Sequence, residues 1–299
     1  MICKDRVVIV TGAGRGLGRA HTLEFARQGA AVVVNDIGVG LDGSGGSSGP
    51  ADEVVAEIRA LGGEAVAAPY DIATSSGAEA LVRTALDAFG RLDTIVCNAG
   101  FLRDRMLVNL SEEEWDAVAR VHLKGHFLPL KHAGLHWRAE AKAGRPVTGR
   151  VVTTSSGAGL LGSVGQGNYA AAKAGIVGLT LVAAAELGRY GVLVNAIAPA
   201  ARTRMTEQVF AATMAAPGDG GFDAMAPENV SPLVVWLGSA GCDVTGRVFE
   251  VEGGRVCVME GFRHGPAADK GARWDPAELG PVVHGLLAGA APPEPVYGA

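Results

Sequence analysis

Tyr169 and Lys173 stand four positions apart in Tyr169-Ala170-Ala171-Ala172-Lys173. On a helix that spacing puts both side chains on one face. A free phenol titrates near ~10, too high for proton transfer at neutral pH. A nearby ammonium favours the phenolate and lowers that value, which would make Tyr169 a general acid/base. Ser156 lies 13 residues before Tyr169, at the end of a β-rich run. It could hydrogen-bond a substrate oxygen and hold it against the phenol. An interfacial tyrosine beside a snorkelling lysine is the plain alternative.

A second cluster sits near the start. Thr11-Gly12-Ala13-Gly14-Arg15-Gly16-Leu17-Gly18 follows a strand-like run and opens a helix-like one. Glycines at 12, 16 and 18 would let backbone approach a pyrophosphate, and the helix N-terminus would offer free N–H groups to the anion. The alternative is a plain glycine-rich strand–helix turn. Asp36 ends the next strand-like run, about 20 residues beyond the glycines, where a carboxylate can accept from an adenosine ribose. It would repel a 2′-phosphate, so Asp36 argues for NAD over NADP. Arg15 inside the turn could assist a phosphate.

These residues need a scaffold, and the pattern supplies one. Strand-like runs at Arg6–Thr11, Ala31–Asn35, Ala65–Tyr70, Leu92–Cys97, Val151–Thr154, Val192–Ile197 and Arg247–Val251 alternate with helix-like segments. The helices include Gly16–Gln28, Ala51–Leu61, a long one from Ser111 to Ala141 opened by a Ser111/Glu114 capping box, Asn168–Leu187 and Pro227–Leu237. The reading is α/β: a single Rossmann-type doubly wound domain, with a seven-stranded parallel sheet flanked by helices. It covers residues 1–254. Residues 255–299 are a C-terminal extension, not an independent domain, with one helix capped by Asp275 and running to Leu287.

Composition bounds the function. The chain has 299 residues, and 44 are glycine, about twice the usual ~7%. They lack a period of three, which excludes collagen, and the apolar content of 48% excludes general disorder. Net charge is −5 with no Lys/Arg run, which argues against nucleic acid. No apolar stretch reads as a membrane span, and the N-terminus lacks a signal-peptide layout. Cys3, Cys97, Cys242 and Cys257 are scattered, so neither a metal site nor a disulfide framework is expected. A cytoplasmic, reducing location follows as the default.

Taken together, residues 5–253 resemble the short-chain dehydrogenases/reductases. The resemblance rests on Thr11–Gly18, Asp71, Asn98-Ala99-Gly100, and Ser156/Tyr169/Lys173, in that order. It implies Tyr169 as catalytic acid/base, Lys173 on the nicotinamide ribose, and Ser156 orienting the substrate carbonyl. It implies a cofactor cleft formed by Gly12, Arg15, Gly16, Leu17, Gly18 and Asp36. Asp71 and Ile72 would meet the adenine, Asn98, Ala99 and Gly100 would line the cleft, and Pro199 and Thr203 would lie by the nicotinamide. His122 stands where the family usually has Asn, a position that shapes a proton-relay water site. The Pro199-Ala200-Ala201-Arg202-Thr203 segment departs from the usual Pro-Gly.

Finer features look like one branch: Val33-Val34-Asn35-Asp36 with a Gly-rich insert, Arg103-Asp104-Arg105, Val121-His122-Leu123-Lys124-Gly125, Gly165–Tyr169 and Arg204-Met205-Thr206. That branch is the (3R)-hydroxyacyl-CoA dehydrogenase part of peroxisomal multifunctional enzymes (17β-hydroxysteroid dehydrogenase type 4-like), with its stand-alone bacterial relatives. The resemblance implies NAD-dependent oxidation of a secondary alcohol on an acyl-CoA or steroid. Thr203–Ala226 would be a substrate lid, with Met205, Met214, Phe222 and Met225 facing an apolar ligand and Arg202 and Arg204 meeting CoA phosphates. A homodimer or homotetramer pairing through Ser111–Ala141 and Asn168–Leu187 is implied too. Two rivals remain: an NADPH-dependent 3-oxoacyl reductase, and a catalytically idle NAD-binding subunit.

Overall fold

The computed structural model describes residues 1–39, 45–203, 214–217 and 221–298. The chain runs β1 (Val7–Thr11), α1 (Gly16–Arg27), β2 (Ala31–Asn35), α2 (Gly49–Ala60), β3 (Ala65–Ala67), α3 (Ser75–Phe89) and β4 (Thr94–Cys97). There follow α4 (Glu112–Ala119), a π-turn (Arg120–Lys124), α5 (Gly125–Lys142), β5 (Arg150–Thr154), α6 (Gly157–Leu161), α7 (Gly167–Leu187) and β6 (Leu193–Ala200). Last come α8 (Ser231–Gly238), β7 (Val248–Glu252), β8 (Arg255–Val258) and α9 (Leu279–Ala288).

Side chains of a strand alternate between faces, and β1 is buried on both. Val8 and Val10 join one core, where Phe25 of α1, Ile58 of α2 and Leu237 of α8 cover the sheet. Val7 and Ile9 join the other, beneath Leu81 of α3, Trp137 of α5 and Ala183 of α7. Each fully buried valine or isoleucine contributes about 1.5–3 kcal/mol. The helix ends carry expected signals. Thr74 caps α3 by accepting from Gly77 N, and Gly90 closes it at φ 75°. Ser111 and Glu114 form the capping box of α4.

The sheet order is β3-β2-β1-β4-β5-β6-β7-β8, all parallel except β8. Seven parallel strands were expected, so the count is corrected to eight. Gly253-Gly254 joins Glu252 to its partner Arg255 as a two-residue hairpin turn, with Gly253 at φ 51°. Arg-Val-Cys-Val is short, and as an edge strand it leaves Val256 and Val258 half exposed, so it lacks the alternation of a covered strand.

Three further expectations shift. The run expected as one helix from Ser111 to Ala141 is two helices joined by the π-turn. β3 stops at Ala67 rather than Tyr70, because Asn35 Nδ2 turns the backbone by holding both Ala68 O (2.7 Å) and Tyr70 O (2.9 Å). The Gly167–Tyr190 segment is long and apolar enough to cross a membrane by length and composition. Part of it packs inside: Ile176, Ala183 and Ala184 are buried, and Thr180 bonds Thr153 of β5 at 2.7 Å, while Leu181 and Val182 stay about half exposed.

Candidate active site

Sheet order reverses between β1 and β4, and that is where a doubly wound sheet opens a crevice at its strand ends. Here the crevice encloses about 230 Å³. Gly12, Arg15, Gly16, Leu17, Gly18, Asp36, Asp71, Ile72, Asn98, Ala99, Gly100 and Thr203 all line it. Tyr169, Lys173 and Pro199 are not among its walls. Pro199 lies in β6, opposite Val251 of β7.

The glycine turn is built for close approach. A Cβ on Gly12, at φ 63°, would lie 2.7 Å from Ala99 Cα. A Cβ on Gly18 would lie 2.0 Å from Gly12 O. Thr11 Oγ1 accepts from Asn98 N (2.9 Å) and Ala99 N (3.2 Å), and Asn98 Nδ2 donates to Thr11 O at 3.1 Å. The two strand ends therefore hold the turn rigidly. α1 begins with no side-chain cap and no acidic residue in its first turn. Its leading N–H groups thus face the crevice uncompensated, which suits a pyrophosphate. By this test the residues present fit a dinucleotide.

Asp36 lines the crevice just beyond the end of β2. Its Oδ2 accepts from Gly14 N at 2.9 Å and its Oδ1 from Gly38 N at 2.7 Å. Gly14 was passed over in the sequence, yet it too must be glycine: a Cβ there would lie 2.7 Å from Pro50 Cβ and 2.9 Å from Asp36 Oδ2. The signal was a fourth glycine in an eight-residue turn. Asp71 pairs with Arg120, and its Oδ1 accepts from Ala73 N at 2.9 Å. Arg120, like Tyr70 and Phe101, is a wall residue that sequence reasoning missed.

Ser156, Tyr169 and Lys173 lie beyond the glycines, at the ends of β5 and α7. Ser156 is the N-cap of α6, its Oγ accepting from Ala158 N at 3.3 Å, and its hydroxyl lies close enough to the Tyr169 phenol to favour the phenolate. Lys173 Nζ is buried, donates to Thr154 O at 2.7 Å and lies 5.5 Å from the Tyr169 ring centre. Asn168 steadies this helix start. Its Nδ2 donates to Arg103 O and Glu114 O, while its Oδ1 accepts from Tyr169 N at 2.7 Å. The expectation that Lys173 lowers the phenol's pKa is corrected. Burial pushes Tyr169 up to about 12, against the nearby Ser156 hydroxyl, which favours the phenolate. Burial also brings Lys173 down to about 7, so its charge is partly lost at neutral pH and weakens as a partner.

His122 comes from the π-turn and is buried against Tyr169, with ring centres 5.1 Å apart, edge to face. Its Nε2 lies 2.7 Å from Phe101 O and 3.1 Å from Phe101 N. Burial, reinforced by Lys173, holds its pKa well below the usual imidazole range, so the ring is neutral. Its Nδ1 has no partner among the described residues. His126, one turn on, is a buried neighbour the sequence did not flag. Its Nε2 accepts from Thr154 N at 3.4 Å, and burial takes its pKa down to about 3.

The expected lid is only partly described. Arg204, Met205 and Thr206 lie outside the described residues. Met214 is buried, Met225 half-buried and Phe222 exposed. Arg202 does not point to solvent as a phosphate ligand would. Its guanidinium pairs with Asp223 and donates to Met214 O at 3.0 Å.

Comparison with known proteins agrees with this geometry. The short chain dehydrogenase family matches residues 6–213. The chain is 48% identical over 292 residues to the hydroxyacyl-CoA dehydrogenase ChsB1 of Mycobacterium tuberculosis, covering 96% of this chain and 90% of that one. It is 47% identical over 251 residues to the peroxisomal multifunctional enzyme type 2 of Mus musculus, covering 84% of this chain but 32% of that enzyme. A crystal structure of a short chain dehydrogenase from Mycobacterium avium superposes with a TM-score of 0.90 at 63% identity, with both chains fully covered. The chain therefore belongs to the short chain dehydrogenase family, oxidoreductases that act on a CH–OH group with a nicotinamide dinucleotide.

Proposed function

We propose that this chain is an NAD-dependent dehydrogenase of bulky apolar secondary alcohols, with a 3-hydroxyacyl-CoA or a hydroxysteroid as substrate. The observation that carries the reading is Tyr169 set beside Ser156, the buried Lys173 and His122 at the ends of β5 and α7, in the same chain as a glycine-lined crevice that fits a dinucleotide. The names of the relatives support the acyl-CoA class. Asp36 at the ribose end supports NAD.

When bound, the dinucleotide supplies or accepts hydride. The chain does the rest. The glycine turn and the start of α1 hold the pyrophosphate, and Asp36 accepts from the ribose hydroxyls in place of Gly14 N and Gly38 N. Ser156 and Tyr169 together hold the substrate oxygen. In reduction, the half-buried phenol would give its proton to that oxygen. In oxidation, Tyr169 first gives up its own proton along a route shaped by Lys173 and the neutral His122, and the resulting phenolate oxygen then takes the alcohol's proton. Residues 1–254 form the catalytic unit, and residues 255–299 extend it.

Homo-oligomer formation is part of the same reading. Phe127 and Leu135 on α5, and Leu181 and Val182 on α7, are between 42% and 54% exposed. Large apolar side chains on neighbouring helices are the kind of surface a second copy covers.

The test is a steady-state screen of 3-hydroxyacyl-CoA thioesters and hydroxysteroids with NAD and with NADP. Turnover of at least one class, with NAD preferred, is expected. No turnover of either class sinks the substrate assignment. A preference for NADPH with 3-oxoacyl thioesters would favour the biosynthetic reductase, and NAD binding without turnover would favour the idle subunit.

A further inference from the structure

The C-terminal strap returns to the catalytic edge. After β8 the chain leaves the sheet, forms α9, and comes back so that Tyr297 lies beside Ser163 in a parallel bridge. Val164 N donates to Tyr297 O at 2.9 Å, and Tyr297 N donates to Gly162 O at 3.2 Å. The segment it meets, 157–164, begins at the residue after Ser156.

The receiving surface is shaped for these side chains. A Cβ on Gly157 would lie 2.9 Å from both Cε2 and Oη of Tyr297, so the phenol rests flat where only glycine leaves room. Gly162, at φ 85°, takes Val296 in the same way, with 3.3 Å from its absent Cβ to Val296 Cγ1. The far side of the loop is held too. Arg105 N donates to Gly165 O at 2.7 Å and Gln166 Nε2 to Asp104 Oδ2 at 2.9 Å. The loop that leads from Ser156 to Tyr169 is thus clamped between residues 104–105 and the strap. Val164, Val296 and Tyr297 remain 42–47% exposed around it. This leaves a half-covered apolar rim on the loop that begins one residue after Ser156.

We propose that Val296 and Tyr297 form one wall of the substrate mouth, and that Tyr297 is a specificity-determining residue whose ring sets how strongly the enzyme favours long acyl chains or fused rings over short ones. This rests on the reading above that Ser156 and Tyr169 hold the substrate oxygen. Binding of the dinucleotide does not involve the strap, because none of the crevice walls comes from residues 255–298. The ring edge at Cε2 and Cζ lies over Gly157 together with the hydroxyl, so a phenylalanine keeps most of that contact.

The experiment compares Tyr297→Ala, Tyr297→Phe and a chain ending at Pro295 with the full wild-type chain, on a four-carbon and a sixteen-carbon 3-hydroxyacyl-CoA. Tyr297→Ala and the shortened chain are expected to raise KM for the long substrate about tenfold, with kcat and the cofactor KM held within about twofold. The long-to-short ratio of kcat/KM should fall in parallel. Tyr297→Phe should restore it. Hydrogen exchange gives a reading without substrate: the Val164 amide should be protected in the wild type and exchange freely in the shortened chain. An unchanged long-to-short ratio in Tyr297→Ala refutes the role in specificity while leaving the dehydrogenase reading intact. An unprotected Val164 amide in the wild type refutes the strap itself. A wild type that turns over neither substrate nor any hydroxysteroid overturns the dehydrogenase reading and this inference with it.

Discussion

Replacing Gly100 by Ala adds a single methyl group, and the site has nowhere to put it. The new Cβ would lie 2.1 Å from His122 Cε1 and 2.7 Å from its Nδ1. Carbon atoms rest at about 3.5–4.0 Å, so the imidazole must move by roughly 1.5 Å. One side of the ring is tied by the 2.7 Å contact of Nε2 with Phe101 O, and the Tyr169 ring blocks another side. Breaking the Phe101 bond in a buried site costs about 1–3 kcal/mol, and overpacking adds about 1–3 kcal/mol. The stiffer unfolded chain returns only about 0.4–1 kcal/mol, since Gly100 does not need a positive φ. A net loss of about 3 kcal/mol should lower the melting temperature by roughly 6–10 °C, on the few-degrees-per-kcal scale of a domain this size. Displacing Tyr169 by an ångström should also cut kcat/KM about a hundredfold. The decisive measurement is a double-mutant cycle with His122→Ala, read by thermal melting. Once the ring is gone the methyl has room, so the double variant should be no less stable than His122→Ala alone. If instead the two losses add to within about 0.5 kcal/mol, the two sites are independent and the steric account is wrong.

Tyr169→Phe should lower kcat by about 10²–10⁴-fold, the usual worth of a positioned acid/base, while a fluorescence titration of the reduced dinucleotide gives an unchanged Kd. Asp36→Ser should cut the preference for NAD over NADP at least about tenfold, as the ratio of the two kcat/KM values; an unchanged ratio would show that Asp36 serves only Gly14 and Gly38. Acidification should destabilise the fold early. His21 and His126 are buried neutral with pKa values near about 3, below the ~6.5 of the unfolded chain, so the unfolded state binds more protons between those values. Stability is fully present above pH ~6.5 and declines as pH falls toward about 3, by about 2 kcal/mol per histidine between pH 6.5 and 5. Urea titrations across that window check it, and a flat midpoint would mean that neither ring is neutral.

The parts of the site legible in the sequence were those in which chemistry and spacing coincide. Gly12, Gly16 and Gly18 are a local motif, and Tyr169 and Lys173 share one turn of α7. The strand and helix alternation was legible because buried parallel strands read as continuous apolar runs. What escaped was set by tertiary contact. Gly14 is needed because Pro50 arrives from another element. His126 is ordinary in sequence and becomes part of the site only through Thr154 of β5. The raised pKa of Tyr169 could not be read from a lysine four residues away, because burial outweighs proximity. The eighth strand was missed for a similar reason: four residues carry too little pattern, and only the pairing with β7 makes them a strand.

The π-turn at Arg120–Lys124 has a consequence for how this helix pair can change over time. A π-turn holds one residue more than the α-helical winding needs. Deleting a single residue there would restore regular winding and rotate everything beyond it by about 100°. His126 would swing away from Thr154, Trp137 would lose its 2.7 Å bond to Leu92 O, and the outward Phe127 and Leu135 would turn with them. One extra residue therefore sets the phase between the face that meets the chemistry and the face that meets the outside. Point substitutions can tune either face separately, whereas a one-residue insertion or deletion in this stretch would disrupt both at once.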